Sequence, residues 1–140
     1  MKIVYTYIVA DVLHTGHLLY LEGAKTLGDI LIVGVLTDEA VEEKKPTPII
    51  SFKERLEIVK NLKMVDIAVP QETYSPGDNI LSFNPNIIVE SGSHDETVLN
   101  RTISIARSIK AQVIVFPYWT TAFESSSGLK KRISSKKIKA

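Results

Sequence analysis

Ile3-Val4-Tyr5-Thr6-Tyr7-Ile8-Val9-Ala10-Asp11-Val12-Leu13-His14-Thr15-Gly16-His17 is the stretch that decides the fold. Ile3–Val9 is an apolar run of β-branched and aromatic residues without the polar alternation of a half-exposed strand, so it reads as a strand buried on both faces. A short loop leads into Leu18–Thr26, where Leu18, Leu19, Leu21 and Ala24 fall in one helical sector and Gly28 ends the pattern. A buried strand feeding a helix through a short loop opens a βαβ unit. The same alternation continues outward. Further strands are expected at Ile30–Leu36, Val65–Val69, Asn86–Val89 and Gln112–Phe116. Helices are expected at Phe52–Leu62, with Ser51 and Glu54 forming a capping box, at Asp95–Lys110, and at Gly128–Ile133. The chain therefore reads as an α/β domain with a five-stranded, mainly parallel sheet and helices on both faces.

The composition agrees with one compact domain. The chain has 140 residues, 17 basic and 16 acidic, with three His and no Cys. The missing cysteine excludes a disulfide framework, a thiolate nucleophile and a Cys-based zinc site. Nothing in it suggests disorder, collagen or coiled coil. The longest apolar run, Ile30–Leu36, is far short of the roughly 20 residues of a spanning helix. Ile3–Ala10 resembles a short signal-peptide core, but Asp11 and His14 follow at once and no cleavage pattern appears, so a cytoplasmic location is expected. The net charge of +1 hides a division: residues 1–129 carry 11 basic and 16 acidic side chains, and residues 130–140 carry six basic and none acidic.

Ligands of open α/β sheets bind beyond the carboxyl ends of the strands, where the topology reverses. That directs attention to the loops Ala10–Gly16, Thr37–Ile50, Glu90–Glu96 and Pro117–Ser127. In the first, His14 and His17 stand three apart at a helix start, with Gly16 allowing close approach to the backbone. Free N–H groups and the positive helix end make this a natural anion site. The residues alone allow phosphate binding, a pair of surface histidines near a cap, or half of a metal site. In the second loop Lys44 and Lys45 follow Asp38, Glu39, Glu42 and Glu43, which suits either phosphate neutralisation or a solvated charged loop. In the last, Ser125-Ser126-Ser127 precedes Lys130, Lys131 and Arg132, more hydroxyls than a cap requires. Taken together, the loops describe a cradle for a nucleoside triphosphate.

These residues resemble those of the HxGH nucleotidyltransferases, especially the small cytidylyltransferase-like group that includes glycerol-phosphate cytidylyltransferases and the adenylyltransferase part of ADP-heptose synthases. His14-Thr15-Gly16-His17 matches the HxGH motif, with Asp11 at the position of the strand-end Asp. Leu27-Gly28-Asp29 and Ile32–Glu39 are similar to the second-strand segment. Lys45-Pro46, Pro48-Ile49-Ile50, Phe52, Glu54-Arg55 and Val65-Asp66 are similar to the segment that follows. Ser125–Ser127 with Leu129–Ile133 resembles the closing motif, so the likeness spans about residues 1–133, ahead of a basic tail at 134–140. Ile8-Val9-Ala10-Asp11 stands where members have Gly-Thr-Phe-Asp. Glu90-Ser91-Gly92-Ser93-His94-Asp95 stands where they have Gly-Asp-Asp or Gly-Gly-Asp, and Thr120-Thr121 where they have Arg-Thr.

The resemblance implies a Rossmann-like domain that moves a nucleoside monophosphate from a triphosphate to a phosphorylated polyol or sugar, releasing pyrophosphate. CTP is the favoured donor and ATP the alternative, with flavin mononucleotide a further acceptor. It implies His14, His17, Lys44 and Lys45 as catalytic residues. Nucleotide contacts fall to Val9, Ala10, Asp11, Gly16, Arg55, Glu90, Ser91, Gly92, Ser125, Ser126, Ser127 and Lys130. Mg²⁺ would arrive with the triphosphate rather than in a protein metal site. A homodimer is expected, with neither a membrane nor a nucleic-acid partner. A nucleotide-binding module without turnover is the competing reading.

Overall fold

A computed structural model describes residues 1–117. The helix expected at Gly128–Ile133, the residues Ser125, Ser126, Ser127, Lys130 and Arg132, and the 134–140 tail lie outside the described residues. Five strands and five helices follow in the order β1 (Ile3–Ile8), α1 (Thr15–Lys25), β2 (Ile30–Leu36), α2 (Asp38–Glu42), α3 (Phe52–Lys60), β3 (Ile67–Gln71), α4 (Gly77–Phe83), β4 (Ile87–Ser91), α5 (Glu96–Ser108) and β5 (Gln112–Phe116). All pairings are parallel, and the sheet order is β3-β2-β1-β4-β5. The chain builds outward from β1 to β3, then returns to the other side of β1. The crevice between the ends of β1 and β4 is thus the switch point where a ligand is expected. None of the described helices is long and apolar enough to cross a membrane.

Alternation along β1 divides the core. Val4 joins α1 and α3 residues Leu21, Ala24 and Val59 on one face. Tyr5 and Tyr7 join Val41 of α2, Ile80 of α4 and Val98 and Ala106 of α5 on the other. Gly34 in β2 leaves the space through which the Tyr5 hydroxyl reaches Gln71 Oε1 at 2.6 Å; a Cβ there would overlap that hydroxyl.

The structure departs from the sequence pattern where polar side chains set the ends. The first helix begins at Thr15, three residues before its apolar sector, because His14 caps it. Two short helices stand where none was expected, α2 within the Thr37–Ile50 loop and α4 in a segment given no element. The Thr37 hydroxyl accepts from Ala40 N and starts α2, with Asp38 and Glu39 at its positive end. The third strand begins two residues later than expected, because Asp66 accepts from Leu31 N and Lys25 Nζ before pairing starts. It also contains Pro70, which an edge strand tolerates.

Candidate active site

The β1–α1 connection is wound tightly. Ala10 and Val12 have φ of 64° and 56°, a left-handed conformation unusual for a β-branched residue. That path brings His14 in as an extended N-cap. Its Nδ1 accepts from Gly16 N at 3.0 Å, while His17 Nδ1 accepts from His14 N at 3.2 Å. An imidazole nitrogen that accepts carries no proton, so both neutral rings hold theirs on Nε2 and present an N–H donor. The ring centroids are 4.2 Å apart. Burial, then the neighbouring His14, holds His17 down to about 4, so it donates as a neutral ring at ordinary pH. Two fixed donors at a positive helix end suit phosphate oxygens.

The expected nucleotide contacts divide into rim and scaffold. Gly16 is buried in the first turn of α1, and Val9 and Ala10 line the end of β1. Asp11 is buried, and its carboxylate accepts from Ile49 N at 2.8 Å and Ile50 N at 2.9 Å, pinning the segment that carries Lys44 and Lys45 beside the two-histidine turn. Arg55 calls for a correction. The sequence places it at the nucleotide, yet the structure buries it completely. Its guanidinium donates to Ile50 O, Val9 O, Leu36 O and Asp38 Oδ1 at 2.6–3.0 Å. It therefore ties together the carboxyl ends of β1 and β2. A fork spent on carbonyls that strand ends cannot otherwise satisfy is a scaffold element.

Glu90 needs the same correction. It is fully buried and points to the α5 face, where Tyr7 and Thr102 donate to it. Ser91 and Gly92 remain at the rim: Ser91 Oγ lies 2.8 Å from Ser93 Oγ, and Gly92 N donates to Phe116 O at 2.8 Å. Lys44 Nζ sits 3.2 Å from Asp95 Oδ2 and 5.2 Å from the Tyr74 ring centroid, reaching from the β2 side to the cap of α5. Lys45 is exposed on the same connection.

Sequence reasoning passes over Tyr7, Tyr74 and Thr102, which look like core, and over His94, whose Nδ1 is 2.7 Å from Glu90 Oε2. The available signal is the spacing of four between Glu90 and His94 at a strand end. Burial and the Glu90 charge drive the Tyr7 hydroxyl far above the usual phenol range. Among the described residues no group of three or more His, Cys, Asp or Glu is placed to hold a metal ion.

Comparison with known proteins agrees with this fold. The bifunctional protein HldE of Citrifermentans bemidjiense is 36% identical over 118 residues, 82% of this chain but 24% of its own length. The chain therefore spans about a quarter of that relative. The FAD synthase of Thermococcus sibiricus is 39% identical over 114 residues, 79% of this chain and 76% of that one. A lipopolysaccharide core biosynthesis protein from Thermoplasma volcanium superposes with a TM-score of 0.70 at 29% identity, covering 84% of this chain and 95% of its own. The cytidylyltransferase-like family model matches residues 9–140, from the end of β1 onward. With the two-histidine turn at its switch point, the chain belongs to the cytidylyltransferase-like family of nucleotidyltransferases.

Proposed function

We propose that the chain transfers a nucleoside monophosphate from a nucleoside triphosphate to a phosphorylated acceptor. An acceptor phosphate oxygen forms a bond to the α-phosphorus, the bond from that phosphorus to the β-phosphate bridging oxygen breaks, and pyrophosphate leaves with the electron pair. No covalent enzyme intermediate is required, so catalysis consists of alignment and charge stabilisation. The observation that carries this reading is the paired Nδ1 acceptance of His14 and His17, which makes both rings Nε2–H donors at the start of α1. Those donors would hold phosphate oxygens on the α1 face as charge shifts onto the leaving group.

Lys44 and Lys45 would neutralise the reacting phosphates from the β2 side, on a segment fixed by Asp11. Ser125, Ser126, Ser127 and Lys130 are proposed as further phosphate contacts on sequence grounds. Mg²⁺ bound to the triphosphate would offset charge on the β- and γ-phosphates, a mode that needs few protein ligands. The relative named FAD synthase favours adenine as the base, and the family description keeps cytosine as the second reading. We infer a homodimer, by analogy with small enzymes of this kind.

Pyrophosphate release should be followed with ATP, CTP, GTP and UTP against glycerol 3-phosphate, flavin mononucleotide and sugar phosphates. Turnover dependent on both an NTP and an acceptor is the expected result. Tight NTP binding without pyrophosphate release across the panel would instead favour a binding module.

A further inference from the structure

Two charged side chains bridge the connections on either side of β1. Lys44 follows α2 and Asp95 caps α5, so their pairing joins the segments that leave β2 and β4. Lys44 Nζ lies 3.2 Å from Asp95 Oδ2 and 5.2 Å from the Tyr74 ring centroid. The adjacent Glu43 accepts from Tyr74 N at 2.8 Å, which fixes the backbone from which Lys44 reaches. Asp95 uses its other oxygen to accept from Val98 N at 2.9 Å as the cap of α5. The Val98 N–H, then Lys44, holds the Asp95 carboxyl below the usual carboxylate range, so it is ionised at neutral pH.

Magnitudes decide what such a contact can do. Lys44 and Asp95 keep 40% and 58% of their side-chain surface exposed. An ion pair that open adds little stability, because water and salt screen it and the lysine loses rotamer freedom. Nor does the cap of α5 need the lysine, since a carboxylate or an amide oxygen caps equally well alone. A triphosphate offers Lys44 several charged oxygens, and bonds between two charged groups are the strong ones. The weaker contact therefore gives way to the stronger. Once Lys44 has moved, Asp95 is left as an unneutralised carboxylate within a lysine's reach of an anionic ligand. Both effects have one sign: the Asp95 charge opposes triphosphate binding.

We propose that Asp95 holds Lys44 in the nucleotide-free protein, and that Lys44 exchanges this carboxylate for phosphate oxygens when the triphosphate binds. Asp95 is then a positioning residue that acts through Lys44, and the pair is a latch at the switch point of the sheet. This rests on the transfer reaction proposed above, with Lys44 among its phosphate ligands. Calorimetric titration of the full chain tests it without turnover. The probe is the non-hydrolysable analogue, with Mg²⁺, of whichever triphosphate supports pyrophosphate release. Asp95→Asn keeps a capping oxygen and removes the charge, so the thermal unfolding midpoint should barely move. Its Kd for the analogue should fall about two- to fivefold, the range of one exposed ion pair.

Lys44→Met should raise the Kd, and adding Asp95→Asn to that variant should lower it by a smaller factor than in the wild-type chain. Only the bare charge of Asp95 is then left to remove. A lost affinity can come from a damaged fold, whereas a gain that needs Lys44 cannot. A Kd unchanged or raised by Asp95→Asn overturns the latch. So does an equal gain in both backgrounds, which makes Asp95 a neighbouring charge and nothing more. If no triphosphate supports pyrophosphate release and no triphosphate analogue binds the wild-type chain, the transfer reading itself fails and the latch falls with it.

Discussion

At the turn between β1 and α1, the chemistry depends on which ring nitrogen carries the proton. Backbone N–H groups occupy both Nδ1 atoms, so the fold itself selects the donor tautomer. Removing such a donor from a charge-stabilising site lowers turnover by about 100-fold or more, which is the expectation for His17→Ala in a pyrophosphate-release assay. The same residue makes stability depend on pH. Burial, then the neighbouring His14, holds it down to about 4 in the folded protein, below the ordinary imidazole value of 6.5. Between these values the unfolded chain binds a proton that the folded chain does not, so stability is full above 6.5 and is lost as pH falls towards 4. Thermal unfolding at several pH values should show this decline, and His17→Asn should flatten it. Arg55 belongs at this scale as well. Arg55→Met leaves Asp38 and three carbonyls without their donor and should cost about 3–5 kcal/mol in denaturant unfolding. Arg55→Lys should recover little, because one ammonium cannot reproduce the fork.

Elements differ in how much of them the sequence exposes. The strands β2 and β5 match the apolar runs Ile30–Leu36 and Gln112–Phe116, because unbroken Val and Ile runs have few other fates. The short helices α2 and α4 do not show, since five and seven residues give too little periodicity and tertiary contacts decide them. The site divides in the same way. The two-histidine turn is legible because its partners are local, three residues apart. The roles of Asp11, Arg55 and Glu90 depend on groups up to 83 residues away, so charge alone misassigns two of them to the ligand. Asp11 links β1 to the lysine-bearing segment through two backbone donors. Asp11→Asn retains one acceptor oxygen and should cost about 2 kcal/mol in stability, the loss of one charge-assisted bond. It should also raise the KM for the triphosphate, as steady-state kinetics would show.

On the scale of the whole molecule, a parallel sheet with its switch point at β1 and β4 brings the two-histidine turn and the buried Glu90 cluster to one edge. Imidazole donors lie on the α1 face, and the Glu90–His94 pair lies on the α5 face. Neither arrangement is apparent from a net charge of +1. Size-exclusion chromatography with light scattering should find twice the 15.6 kDa chain mass, and a monomer would remove the inferred dimer. The most direct test of the account uses ATP labelled at the α- or the γ-phosphorus, with the acceptor that supports pyrophosphate release. Label from the α-position should enter the acceptor product with the wild-type chain and be almost absent with His14→Ala and His17→Ala. Label entering from the γ-position, or transfer undiminished in both variants, would contradict nucleotidyl transfer at the two-histidine turn.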